Sequence, residues 1–498
     1  MLAVLALTIG LLYYLLNQFY LKRRHLPPGP IPLPIFGNLL SLWRQERWEN
    51  KFLQWRKRYG AIYTYWMGDL PFVAINDHSL AHKVFVKNGG NFENRLDSRF
   101  LLKYLGNEDK IQTPIEVPQK QRKFAVAAFK HFGFGTRQIE QNIITEIQRM
   151  FSKINADLDA GTDEMQLYKH TDLAVGSLIS QIICGYKANT KASEKRLLHI
   201  KEQTARVSSV STNLWSNLIF SYPWILNLSF LSNAGKEGAA IYAEILDFMG
   251  EQIEKHLEEN EYTDDFEATD FIDAFLKEKR RLDEVDPTQN DFSLAQLKSM
   301  CFNLWVAGQE TTSLTITWTI AFVLRHPEVQ QRIHEELDQI IGSDKMITIA
   351  EKPLLSYVNA VVMEALRCAN LLGQNLTRVA EEDIEIEGYL IKKGTVVLPQ
   401  VSVIMQDEKV FPEPQRFNPS RFIDENQNLK NPSEFIPFSL GRRMCIGESL
   451  AKMELFLITA NLFNRYTILP GKELPTLRKT SGNSTDTELY RCRLERRW

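Results

Sequence analysis

Apolar residues follow three patterns along this chain, and each predicts a different kind of element. The first is unbroken: MLAVLALTIGLLYYLLNQFY opens the sequence, about the length a helix needs to cross a ~30 Å hydrocarbon core. The second alternates. IYTYWMGDLPFVAI (Ile62 to Ile75) is rich in aromatic and branched residues around a Gly-Asp turn, which predicts a hairpin, and IEIEGYLIKKGTVVLPQ (Ile384 to Gln400) predicts a second sheet region. Helical spacing fills most of the remainder, without internal repeats or low-complexity tracts. The pattern predicts a mainly α protein with a small β component.

One helical stretch dominates. From about Phe292 to Arg325 the apolar period runs without proline, and it stops at His326-Pro327, where the proline pushes its predecessor out of helical geometry. At ~1.5 Å per residue such a helix is roughly 50 Å long. Its middle reads LWVAGQETTSLTITW. A second membrane span would suit the length, but Gln309, Glu310, Thr311 and Thr312 are expensive in lipid, so a central core helix is expected.

The flanks decide what the first apolar run is. Lys22, Arg23, Arg24 and His25 follow it, whereas a cleaved secretory signal carries its positive charge before the apolar run. We therefore expect an uncleaved transmembrane anchor at residues 1–21, in preference to a buried first helix. Basic residues on that flank favour the cytosolic side, which leaves the rest of the chain facing the cytosol. Next, LPPGPIPLPIFGN carries Pro27, Pro28, Pro30, Pro32 and Pro34, which forbid helix and favour a stiff strut. Residues 22–38 are expected to form this basic, Pro-rich linker, and residues 39–498 the main folded domain.

Composition changes the picture little. With 44% hydrophobic and 24% charged residues the chain has ample core material, and a net charge of -2 gives no global attraction to nucleic acid. The cysteines are more informative. Cys184, Cys301, Cys368, Cys445 and Cys492 are odd in number and scattered, which argues against a disulfide framework and for a reducing compartment.

Cys445 stands apart through its surroundings. In FIPFSLGRRMCIGESLAKMELFLITANLF a glycine-punctuated loop delivers it to the start of a long apolar helix. Backbone N–H groups and the positive helix end favour the thiolate, the form that binds iron. Gly441 and Gly447 leave room for a flat macrocycle, Phe438 packs beside the sulfur, and Arg443 offers a forked donor for a carboxylate. Alone, Cys445 would read as an inert buried thiol.

FSLGRRMCIG resembles the haem-binding loop of the cytochrome P-450 superfamily, F-x-x-G-x-R-x-C-x-G, at every fixed position. Three further segments follow the family's pattern: AGQETT (Ala307 to Thr312) is similar to its oxygen-binding motif, Glu364-Ala-Leu-Arg367 to its E-x-x-R helix, and Pro414-Gln-Arg416-Phe417 to its P-x-R-F segment. The resemblance covers roughly Pro27 to the end. It implies a triangular helical haem domain with a long central helix and a minor sheet, iron protoporphyrin IX held by Cys445, and monooxygenase activity. The anchor, the strut and FGFG (Phe132 to Gly135) resemble the microsomal animal xenobiotic and steroid hydroxylases, which implies the endoplasmic reticulum membrane.

The roles that follow have physical content. A thiolate opposite bound oxygen favours O–O cleavage. Glu310 and Thr311 are placed to relay protons, and the Thr311 hydroxyl can bond its own helix and open a kink; an ordinary helix threonine is the bland alternative. Glu364 and Arg367 share a helix face, and Arg416 is expected to complete a buried triad with them. Two positions depart from the family. Pro118 stands where a tryptophan is usual, putting one propionate contact in doubt while Arg122 remains, and Gly373 replaces a proline, predicting a looser loop. Arg378 beyond that loop is either a propionate ligand or a surface ion pair.

No Gly-rich nucleotide loop or flavin site is present in the sequence, so the resemblance implies an external NADPH-dependent flavoprotein reductase, with cytochrome b5 as an optional second donor. Lys120, Arg122, Lys123, Lys130, Arg442 and Lys452 supply a basic docking patch. Expected substrate walls are Arg95 to Val117, Thr204 to Leu214, Phe302 to Ala307, Leu371 to Thr377 and Ser481 to Leu489. LIFSYPWILNLSFL (Leu218 to Leu231) is apolar enough to dip into the bilayer. A small lipophilic substrate is expected. Two rival functions remain: a haem-thiolate isomerase or dehydratase, against which the Glu310–Thr311 pair argues, and a non-catalytic haem or gas sensor.

Overall fold

The computed structural model describes residues 2–43, 45–96, 119–132, 137–211, 218, 221–222, 224–225, 228–285, 292–479 and 488–498. Ser293 sets the start of the central helix. Its extended backbone and its hydroxyl, which accepts the Gln296 N–H at 3.1 Å, cap the first turn, so the helix runs Leu294–Arg325 and stops at His326. Trp305, Trp318 and Ile320 are buried in it, and the helices Leu167–Cys184, Ser229–Glu259, Ser356–Ala369 and Glu448–Arg465 pack around it. Protein surrounds this helix, which removes the transmembrane alternative.

The N-terminal helix Leu2–Phe19 has the opposite environment. Among the described residues, Ala3–Arg23 is the one segment with the length and apolarity of a membrane span, and only 6% of it is buried. An apolar helix left this bare in water is unstable unless lipid or protein covers it.

The hairpin forms as predicted, with β1 (Ile62–Met67) against β2 (Leu70–Ile75) in register from Ile62 opposite Ile75 to Met67 opposite Leu70. The second sheet region divides. β3 (Arg378–Val379) precedes it; β4 (Ile384–Ile386) and β5 (Tyr389–Ile391) form a separate ribbon, while β6 (Val396–Pro399) joins the hairpin in the order β1-β2-β6-β3, parallel to β2. A third ribbon, β7 (Tyr466–Pro470) with β8 (Cys492–Arg496), lies outside the alternating stretches.

Both faces of the hairpin are covered, and β1 is buried throughout. Phe52 and Trp55 of helix Trp48–Tyr59 cover one face, and Leu80, Val84 and Phe85 cover the other. Its edge is covered too. The proline strut does not stand clear of the domain: Thr64 N–H donates to the Pro28 carbonyl at 3.1 Å, and Asn38 bonds Trp66 through backbone and side chain. A Cβ at Gly29 would lie 1.8 Å from the Thr64 carbonyl oxygen, so only glycine lets the strut lie this close.

Candidate haem site

The segment Phe438 to Gly447 is a closed loop. Cys445 N–H donates to the Phe438 carbonyl at 2.9 Å, and Met444 N–H to the Gly441 carbonyl at 3.0 Å. Gly441 has φ 73°, and a Cβ there would lie 2.0 Å from the Phe85 carbonyl oxygen. Gly441 therefore makes room for the protein's own backbone. A Cβ on Gly447 would meet only the Cys445 sulfur, at 4.0 Å. Phe438 is half-buried, with the Lys452 ammonium 5.5 Å from its ring centroid.

Of the five cysteines, Cys445 alone is exposed. Burial pushes the Cys184 and Cys492 thiols up to about 12, and those of Cys301 and Cys368 well above their ordinary value, which makes them inert. The Cys445 thiol is raised as well. Lost hydration at the sulfur outweighs the Gly447 N–H and the Arg122 charge, and Glu448 adds to the rise. The chain thus supplies the expected thiolate-favouring groups without making them dominant; a metal cation at the sulfur would add the remainder.

Around this loop guanidinium groups converge. Arg378 is 1% exposed; it donates to the Leu440 carbonyl at 2.7 Å and to the Ser439 hydroxyl at 3.3 Å, and it lies over the Phe85 ring. That burial excludes the surface ion pair considered for it. Burial and the charges of Arg95, Arg443 and Arg122 all push its pKa down, and its Nε has no partner. Arg122 donates to the Met444 carbonyl and is also pushed down, by burial and then by Arg443, while Cys445 opposes the shift. Arg95 donates to the Thr377 carbonyl at 2.6 Å. A guanidinium cannot shed its proton, so like charges held this close fit an anionic ligand. The two carboxylates of haem meet that requirement beside a free sulfur.

The central helix leaves one strip uncovered. Ala307 and Thr311, one turn apart, are exposed, whereas Gln309, Glu310 and Thr312 are buried. The Thr311 hydroxyl donates to the Ala307 carbonyl at 2.6 Å, the back-bond expected of it. Glu310 points elsewhere. Its carboxylate lies 3.8 Å from the Lys201 ammonium, which is 3.2 Å from Asp172. Glu310 and Thr311 are thus adjacent in sequence and divided in space, one in a polar seam between helices and the other at the open strip. Neither Lys201 nor Asp172 stood out in the sequence, because both lie in ordinary amphipathic stretches.

Glu364 and Arg367 are fully buried and paired at 2.7 and 2.9 Å. The third member is not Arg416. That side chain is exposed and pairs with Glu413 at 3.6 Å, while Arg421, nearly buried, reaches Glu364 at 3.0 Å. Arg421 sits in a short 3-10 helix, Pro419–Phe422, packed on helix Ser356–Ala369. A signal existed: Pro419-Ser-Arg421-Phe422 repeats the P-x-R-F spacing five residues on.

The loop holding Gly373 is tied rather than loose. Its carbonyl accepts from Gln400 at 2.7 Å and Ser402 at 2.8 Å, and Gln374 donates to the Tyr65 hydroxyl at 2.9 Å. Pro118, residues 133–135 of the FGFG segment, residues 97–117, 212–214 and 481–487 of the expected walls, and residues 219–220, 223 and 226–227 of the apolar run lie outside the described residues.

The cytochrome P450 family model matches residues 27–492. The chain is 29% identical to cytochrome P450 2C44 of Mus musculus across 99% of this chain and 98% of that protein. It is 30% identical to cytochrome P450 2C23 of Rattus norvegicus across 92% and 91%, and 29% identical to cytochrome P450 2H2 of Gallus gallus across 91% and 89%. With a free thiol among guanidinium groups and a match over nearly its whole length, the chain belongs to the cytochrome P450 family and is a haem-thiolate monooxygenase.

Proposed function

We propose that Cys445 is the iron ligand, that Arg122, Arg378 and Arg443 hold the haem carboxylates, and that the protein oxygenates a small lipophilic substrate with electrons from an NADPH-dependent flavoprotein reductase. The observation that carries the reading is the one exposed thiol set among guanidinium groups that repel one another. Bound haem supplies the oxygen activation, since a thiolate-ligated iron favours O–O cleavage. The chain supplies the surroundings. Gly447 N–H bonds the sulfur and tempers its basicity, and Phe438 limits water beside it. Ala307 keeps the open strip flat. The Thr311 hydroxyl, resting on the Ala307 carbonyl, can turn to hold a proton at Oγ1, and Glu310 is the acid one residue away, restrained by Lys201.

Residues 1–21 serve as a single-pass anchor in the endoplasmic reticulum membrane, 22–38 as the linker, and 39–498 as the catalytic domain facing the cytosol. The bare apolar helix followed by Lys22 to His25 supports this. Lys120, Lys123 and Lys130 are exposed and suit an acidic reductase or cytochrome b5, whereas Arg122 turns inward and Arg442 and Lys452 engage Glu93 and Glu448. Cys445→Ser is the test: the purified protein is expected to lose the thiolate-type carbon monoxide spectrum, and an unchanged spectrum overturns the assignment. Reductase-dependent NADPH consumption that rises with a lipophilic compound and yields an oxygenated product tests the rest.

A further inference from the structure

Glu454 is 1% exposed, in the middle of helix Glu448–Arg465, the helix that begins just after Cys445. Its neighbours Met453, Leu455, Phe456 and Leu457 are buried apolar residues. An apolar side chain of similar volume would serve the core better, so the carboxyl calls for an explanation. The Thr312 hydroxyl hydrogen-bonds it, and its Oε1 has no partner. Thr312 differs from its neighbours. The hydroxyls of Thr311, Thr315, Thr317 and Thr319 donate back to carbonyls of their own helix, while that of Thr312 is directed at Glu454 on the other helix.

We propose that Glu454 is a positioning residue: a neutral buried carboxylic acid whose bond to Thr312 ties the helix following Cys445 to the helix carrying Thr311, fixing the two sides of the haem site relative to each other. The inference rests on Cys445 being the iron ligand. Two influences act on the carboxyl: burial dominates, the Thr312 hydroxyl opposes it, and among the described residues no charged group of the surrounding helices contributes. The result is a group pushed up to about 8, protonated at neutral pH. Ionising it leaves a buried charge with only one hydroxyl to solvate it, so water must enter beside that bond and loosen the packing of the two helices.

The experiment uses the full-length holoprotein. Infrared difference spectra between about pH 6 and about pH 10 are expected to lose one buried carboxylic-acid carbonyl band with a midpoint near 8, and E454Q is expected to lack that band. Over the same range the wild type is expected to lose its thiolate-type carbon monoxide spectrum with the same midpoint. E454Q, which keeps a partner for Thr312 but cannot ionise, is expected to retain that spectrum at least about one pH unit further. Thr312→Val breaks the tie from the other side and keeps the volume. It is expected to shorten the lifetime of the thiolate form on warming at neutral pH by about tenfold, with E454Q unchanged. A wild type without a thiolate-type spectrum at neutral pH overturns the Cys445 assignment and this inference with it. An intact spectrum with E454Q titrating like the wild type, or Thr312→Val as durable as the wild type, overturns this inference alone. If E454Q does not accumulate, Thr312→Val and the wild-type infrared band decide.

Discussion

Two groups of arginines, one at Glu364 and one around Cys445, handle their charge in opposite ways. At Glu364, burial alone would lower the Arg367 pKa, but the paired bonds to the carboxylate more than restore it. Arg421 completes that group from 3.0 Å, and the carbonyls of Met405, Pro412 and Arg416 take the remaining N–H groups. Around Cys445, Arg378 and Arg122 find carbonyls and one another, and both are pushed down. The first group is complete within the chain. In the second, as proposed above, a bound anion would supply the countercharge, which would separate charge used for cohesion from charge kept for a ligand.

The largest effect is expected where the completed group is broken. Arg367→Ala strands the Glu364 carboxylate at full burial and is expected to cost about 3–5 kcal/mol; denaturant titration measures the loss, and the purified variant is expected to lack haem. Recovery of wild-type haem content would contradict it. Arg421→Ala leaves Arg367 in place and is expected to cost about 2–3 kcal/mol. Arg416→Ala, an exposed group, is expected to change stability by less than about 0.5 kcal/mol. Equal losses at 416 and 421 would erase the distinction between the two P-x-R-F segments.

Breaking the open group should instead touch the ligand. Arg378→Met removes two hydrogen bonds but also relieves repulsion from three neighbours, so the two consequences for the haem-free chain largely offset. Haem retention is expected to fall by about tenfold, or ~1.4 kcal/mol, read as the rate of haem transfer to an acceptor protein. A large stability loss with unchanged retention would place Arg378 with the cohesive group.

The same contrast explains what was legible in the sequence. Local signals carried through: the alternating run gave β1 and β2, the proline at 327 ended the central helix, and the cysteine loop and Glu364–Arg367 pair stood three to ten residues apart. Signals that depend on distant chain did not. β6 pairs with β2 across more than three hundred residues, and the strut's contact with Thr64 depends on Gly29 as much as on its prolines. Arg416 and Arg421 satisfy the same local pattern, and packing on helix Ser356–Ala369 chooses between them. Glu310 and Thr311 are neighbours by sequence, yet the 100° turn per residue sends one to Lys201 and the other to the open strip.

The smallest test asks what happens when a repelled group can discard its charge, which a guanidinium cannot. His334 is half-buried, and burial and the Arg497 charge push it down to about 4, against Asp338 and a backbone bond at Tyr466. Its neutral form is therefore the native one. Its native pKa lies below the value of ~6.5 in the unfolded chain, so its contribution to stability is complete above that value and is lost as pH falls toward 4. After allowance for its partial exposure, the first unit of acidification is expected to remove about 1 kcal/mol, read as a falling denaturation midpoint. His334→Leu is expected to flatten that segment of the profile. A wild-type slope retained in the variant would mean that folding does not lower the His334 pKa, and that its burial beside Arg497 costs the charged form little.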